Sequence, residues 1–127
     1  MTQLSGLTLA YLGDAYYELQ VRKHLVEQGY TKGNDLHAKA IKYTSANGQN
    51  TIIQRLLPLL AELESDVVKR GRNAESTHKP KNADLAVYRM ATGFESLIGF
   101  LMVEQKQARL DEIMNMAFQI IEETQLS

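Results

Sequence analysis

Two acidic residues occupy stretches whose neighbours are mostly apolar. Asp14 follows Gly13 in LTLAYLGDAYYE (residues 7–18), and Glu95 follows Gly93-Phe94 in ATGFESLIGFL (residues 91–101). In the first stretch Leu9, Leu12, Tyr16 and Leu19 recur at helical spacing, which predicts one apolar face interrupted by a carboxylate. A carboxylate in a low-dielectric site needs a partner, a proton or a metal, because left bare it costs several kcal/mol. Gly13 leaves room for another group to approach the backbone, although a glycine in a helix interior costs about 1 kcal/mol. The two acids stand 81 positions apart. If their helices packed together, the carboxylates would suit Mg²⁺, which takes oxygen ligands, keeps several waters and leaves positions for phosphate oxygens. On the residues alone, the competing reading is two solvated acids on amphipathic helices.

Charge marks a second candidate region. The formal net charge is −1, yet from Lys69 to Lys81 there are five Lys/Arg and one acid, a local +4 on a body of −5. Lys69, Arg70, Arg72, Lys79 and Lys81, with Asn73 and Asn82 as neutral donors, are candidate phosphate contacts. Glu18, one turn after Asp14, could orient water from behind the acids, and Thr92, one turn before Glu95, offers a hydroxyl in the same direction. His37 and His78 have no partner at ligand-like spacing and read as capping, surface or nucleic-acid contacts.

The elements that must position these residues all read as helices. The first runs from about Ser5 to Gln28 and stops at Gly29. A second, capped by Asn34 or Asp35, turns Leu36, Ala40, Ile41 and Tyr43 inward. A third, with Ser45 as its cap, buries Ile52, Ile53, Leu56 and Leu57 before Pro58. The fourth, about Leu59 to Arg70, presents Leu60, Leu63 and Val67 and ends at Gly71, where a basic loop begins. Asn82 caps a long fifth helix, apolar over much of its circumference from Leu85 to Leu101 and therefore central. The last, Arg109 to about Glu123, faces the body with Leu110, Ile113, Met114, Ala117, Ile120 and Ile121. No segment alternates with a period of two, so the fold class is all-α.

Residues 1–127 are long enough for one domain with a closed core. With no cysteine, disulfides and thiolate zinc sites are excluded. The N-terminus lacks a basic and apolar leader, and no stretch reads as the roughly 20 apolar residues of a membrane span, so a cytoplasmic protein without membrane contact is expected.

LAYLGDAYYE resembles the ribonuclease III signature built around LEFLGD, and ATGFESLIGFL resembles that family's second acidic motif, DxxEALIGAL. KRGRNAES and KPKN, followed by YRMATGFESLIG, are similar to the pattern of the small bacterial subclass Mini-ribonuclease III, which lacks the usual double-stranded-RNA-binding module. The resemblance implies a ribonuclease III-like endonuclease domain in which Asp14 and Glu95 are metal-binding catalytic carboxylates for Mg²⁺. It further implies a homodimer that cuts double-stranded RNA to 5′-phosphate and 3′-hydroxyl ends, with the large-subunit ribosomal RNA precursor as substrate. A ribosomal protein or pre-ribosomal particle is a further expected partner. Where the larger family carries a glutamate four positions before the aspartate, this chain has Ala10, and where it carries an aspartate three positions before the glutamate, it has Thr92. The subclass looks similar in lacking both. The rival readings are a non-catalytic helical module for structured RNA or a ribosomal partner, and a helical interaction protein with no nucleic acid.

Overall fold

The computed structural model describes residues 4–74 and 84–126. Six α-helices follow one another, α1 (Gly6–Glu27), α2 (Gly33–Thr44), α3 (Ala46–Leu56), α4 (Glu62–Asn73), α5 (Leu85–Val103) and α6 (Gln107–Leu126), and the described residues contain no strand. Local chemistry sets most of the boundaries. Ser5 accepts from the Thr8 amide and Ser45 from the Gly48 amide, capping α1 and α3. Gly29, at φ +102°, closes α1 in the left-handed region open to glycine. Pro58 turns Leu57–Leu59 into a single 3₁₀ turn, which delays α4 to Glu62, three residues later than the sequence suggested.

Several expectations need correction. α2 begins at Gly33 with Lys32 at its cap position and no side-chain cap, so neither Asn34 nor Asp35 serves. The cap of α5 is Asp84, whose carboxylate accepts from Ala86 and Val87, while Asn82 lies outside the described residues. α4 runs through Gly71 to Asn73, so Arg72 and Asn73 belong to helix rather than loop, continuous with Lys69 and Arg70. The core face of α1 is Leu9, Gly13, Tyr17, Val21 and Leu25, with Leu12 and Tyr16 only half-buried and Leu19 exposed. Ile41, Leu63 and Leu85 also face solvent. In α4 the buried place belongs to Glu64 rather than Leu63. Glu64 accepts from the Ala61 amide at 2.8 Å and from Arg109 through two nitrogens at 2.8 Å, which supplies the partner a buried acid requires.

α5 is the central element. Its segment 93–101 is buried throughout except for Glu95, which is half-buried, and it packs against α1, α3 and α4. By length and composition α5 would reach across a membrane, contrary to the sequence reading, but half of its apolar window is buried against the other helices. α1 and α5 cross at glycine. An added Cβ at Gly13 would collide with the Glu95 carbonyl, and one at Gly99 with the Leu9 carbonyl, so the two backbones touch there. Gly13 therefore makes room for α5 rather than for a ligand. α4 meets the other side of α5 in the same manner: Gly71 accommodates the Ser96 hydroxyl, which donates to the Gly6 carbonyl at 2.7 Å and ties α5 to the start of α1. Tyr17 stacks edge-on against Phe94 with ring centroids 5.1 Å apart and donates to the Tyr43 carbonyl at 2.9 Å, joining α1 to α5 and α2.

Candidate active site

The backbone contact between Gly13 and Glu95 puts the next residue of α1, Asp14, beside the Glu95 side chain. The Glu95 carboxyl is pushed up to about 8, first by burial, then by the charge of Asp14, and further by a hydrogen bond with the Asp14 carboxyl. Asp14 itself opens to solvent. One half-buried and one exposed carboxyl at close range cannot both be ionised cheaply unless a cation lies between them. The described residues contain no cluster of three or more His, Asp or Glu, so a metal held here would take two carboxylates and complete its shell with water or substrate oxygens. That donor set fits Mg²⁺, which is commonly bound by one or two carboxylates and retains waters.

The remaining candidates divide. Glu18 accepts from Arg22 at 3.3 Å on the helix surface and behaves as a surface acid. The Thr92 hydroxyl donates to the Tyr88 carbonyl at 3.1 Å, one turn back in its own helix, so its proton is committed to backbone. Ala10, where the larger family has an acid, is buried in the core. Lys69, Arg70 and Asn73 are exposed and Arg72 half-buried on the last turns of α4, which pack on α5 at Gly71 beside Gly93 and Ser96, two positions before and one after Glu95. Arg70 also donates to the Leu4 carbonyl, and Arg72 donates through Nε to Asn73 at 3.1 Å. Lys79 and Lys81, like His78 and Asn82, lie outside the described residues.

Gln49 of α3 was not among the sequence candidates. It is 3% exposed and its amide nitrogen donates to Glu95 Oε2 at 3.2 Å and to the Thr44 carbonyl at 3.0 Å. A signal was available: Gln49 precedes Ile52, Ile53 and Leu56 by three, four and seven residues, so an amide occupies the apolar period of a core helix. A second polar cluster also went unread. Glu122 of α6 takes His24 Nε2 at 2.6 Å and the Tyr43 hydroxyl at 2.8 Å, while His24 stacks on Phe118 at 4.3 Å. These contacts pin α6 to α1 and α2.

The Ribonuclease III domain family model matches residues 7–106, a span that includes both acids and all of α5. The Mini-ribonuclease 3 of Symbiobacterium thermophilum is 49% identical over 122 residues, covering 96% of this chain and 94% of that one. The Mini-ribonuclease 3 of Enterococcus faecalis is 48% identical with the same coverage of both chains. The crystal structure of a Fusobacterium nucleatum protein superimposes with a TM-score of 0.82 at 29% identity, over 92% of this chain and 93% of that one. Fold, family match and near-full-length identity agree, and the chain belongs to the Mini-ribonuclease III branch of the ribonuclease III family of double-stranded-RNA endoribonucleases.

Proposed function

We propose that Asp14 and Glu95 together hold a divalent cation, Mg²⁺ in the cell, and form the cutting centre of this nuclease. The observation that carries this reading is the direct approach of the two carboxyls across the α1–α5 crossing, with the Glu95 carboxyl unusually reluctant to ionise on its own. When bound, Mg²⁺ neutralises the acid pair and stabilises the charge that builds on a phosphodiester attacked by water. The chain's own contribution is positional: α5 buries Glu95 so that it yields its proton only to a strong cation, and α1 presents Asp14 to the solvent side where a strand can reach it. The 3′-oxygen leaves, giving 5′-phosphate and 3′-hydroxyl ends.

Duplex RNA offers phosphates and 2′-hydroxyls across a wide, shallow minor groove, so recognition rests on shape and charge. Lys69, Arg70, Arg72 and Asn73 on the end of α4 are the phosphate contacts, and Lys79, Lys81 and Asn82, later in the sequence, add to them. The large-subunit (23S) ribosomal RNA precursor is the cellular substrate, reached in the cytoplasm, free or within a pre-ribosomal particle. The protein works as a homodimer, one site for each strand. Leu7 and Tyr11 on the first turns of α1, with Leu4 just before its cap, support this, since they are apolar and open to solvent, Tyr11 at 79% exposure.

The test is cleavage of long duplex RNA with and without Mg²⁺, comparing wild type with Asp14→Asn and Glu95→Gln. Both variants should stay folded, bind RNA and fail to cut. Near-wild-type cutting by either one with an unchanged metal requirement would refute the assignment.

A further inference from the structure

The buried amide of Gln49 touches Glu95 of the acid pair and has no part in the chemistry above. We propose that Gln49 is a positioning residue for the cation site: anchored on the Thr44 carbonyl, its amide holds Glu95 in the orientation that a divalent cation binds. The proposal rests on the reading of Asp14 and Glu95 as metal-holding residues.

The hydrogen-bond pattern allows one orientation of the amide. Thr44 O, a backbone carbonyl, can only accept, so the NH₂ group must face it. That same nitrogen lies 3.2 Å from Glu95 Oε2, so Gln49 meets Glu95 as a donor and never as an acceptor. A donor fixed on one carboxylate oxygen restricts rotation of the carboxylate and leaves the other oxygen for a cation. The anchor is backbone: Thr44 is the last residue of α2, and the next residue, Ser45, caps α3, so its carbonyl sits at the junction of the two helices.

The arrangement is not what stability alone would select. With both N–H groups facing acceptors, Gln49 Oε1 is left buried without a hydrogen-bond partner among the described residues, which is unfavourable. A leucine or methionine would continue the period of Ile52, Ile53 and Leu56 without that penalty. With Ala10 and Thr92 where the larger family has acids, the site also has few ligands, so the orientation of Glu95 matters more.

The experiment compares wild type with Gln49→Met, a side chain of similar length that cannot donate. Mn²⁺ binding to the RNA-free protein is measured by calorimetry, alongside the Mg²⁺ concentration that half-saturates duplex cleavage and the metal-free thermal midpoint. Loss of a residue that orients a metal ligand typically weakens metal binding roughly 10- to 100-fold. We expect a loss of that size in Mn²⁺ affinity, a matching rise in the Mg²⁺ requirement, and a metal-free midpoint close to wild type. Equal Mn²⁺ affinity in Gln49→Met overturns the proposal. So does an affinity loss that appears only with a collapsed midpoint, unless the wild-type measurement that follows supports it. In wild type the two Gln49 side-chain amide protons, followed by NMR, should be protected from exchange and should shift as Mg²⁺ is added; a pair indifferent to Mg²⁺ overturns the proposal independently of any variant. A wild-type protein that neither binds Mn²⁺ nor cuts duplex RNA refutes the active-site reading, whereas binding and cutting by wild type with equal affinity in Gln49→Met refutes the role of Gln49 alone.

Discussion

The glycine at the α1–α5 crossing can be tested by adding a single methyl group. A Cβ at Gly13 would lie 1.8 Å from the Glu95 carbonyl oxygen, 2.8 Å from its carbonyl carbon and 2.9 Å from the Gly99 nitrogen, whereas ordinary contact begins at 3.4 Å. The obstructing atoms are backbone, so no rotamer change relieves the clash, and Gly13→Ala must push the helices apart by about 1.6 Å. Overpacking of this kind typically costs about 1–3 kcal/mol, and more where the neighbours cannot move. For a chain of this size the corresponding fall in thermal midpoint is roughly 5–15 °C. The functional effect should exceed the stability effect, because the same movement separates Asp14 from Glu95, and misplacing reacting groups by about 1 Å can slow a reaction ~100-fold. Thermal unfolding and duplex cleavage at saturating Mg²⁺, both at a temperature where the variant is folded, give the two numbers. Gly33→Ala is the control, since nothing lies within 4 Å of its added Cβ and it should lose neither stability nor activity. A Gly13→Ala protein with wild-type midpoint and rate would refute the claim that backbone contact brings the acids together.

In metal-free protein the Glu95 carboxyl titrates near 8 rather than its usual 4.5, so the folded state binds a proton the unfolded chain has released. Stability from this source is therefore complete below pH 4.5, declines as pH rises and is gone above about 8, and Glu95→Gln should flatten that decline in a series of melts. Mg²⁺ should raise the metal-free midpoint most at pH 8 and above, where no proton must be displaced; a pH-independent effect would argue against Glu95 as a ligand. Arg109→Met leaves Glu64 buried without its two-pronged partner and should cost about 3–5 kcal/mol in urea unfolding, much of it recovered in the Glu64→Gln, Arg109→Met double variant. Because Arg109 holds the Glu64 carboxyl below its usual 4.5, the stability it brings is present above that pH and lost as the solution is acidified. Arg72→Gln should weaken RNA binding without altering the metal requirement and reduce the slope of log affinity against log salt by about one.

Helix number and order were legible in the sequence because apolar periods, Gly29, Ser45 and Pro58 act through the local backbone, and each does the same work in isolation as in the fold. The pairing of Asp14 with Glu95 was legible as a possibility from charge set among apolar residues, and became specific through the resemblance of two motifs. Which face of each helix is buried was harder to read. In α1 the sequence favoured Leu12, Tyr16 and Leu19, but a glycine belongs to the core face when another backbone presses on it, and hydropathy does not record that use. The same blindness turned Gly71 into a helix stop and left Arg72 and Asn73 in a loop.

The sequence by itself determined the helices, the central place of α5, the two acids and the basic stretch that starts at Lys69, since each follows from residue type and short-range spacing. Only the tertiary structure decided how Asp14 meets Glu95, that Thr92 and Glu18 are occupied elsewhere, and that Gln49 reaches the pair from a third helix. Those outcomes depend on contacts between residues as many as 81 positions apart, where glycine-sized gaps set the distance between backbones and burial sets the cost of each charge.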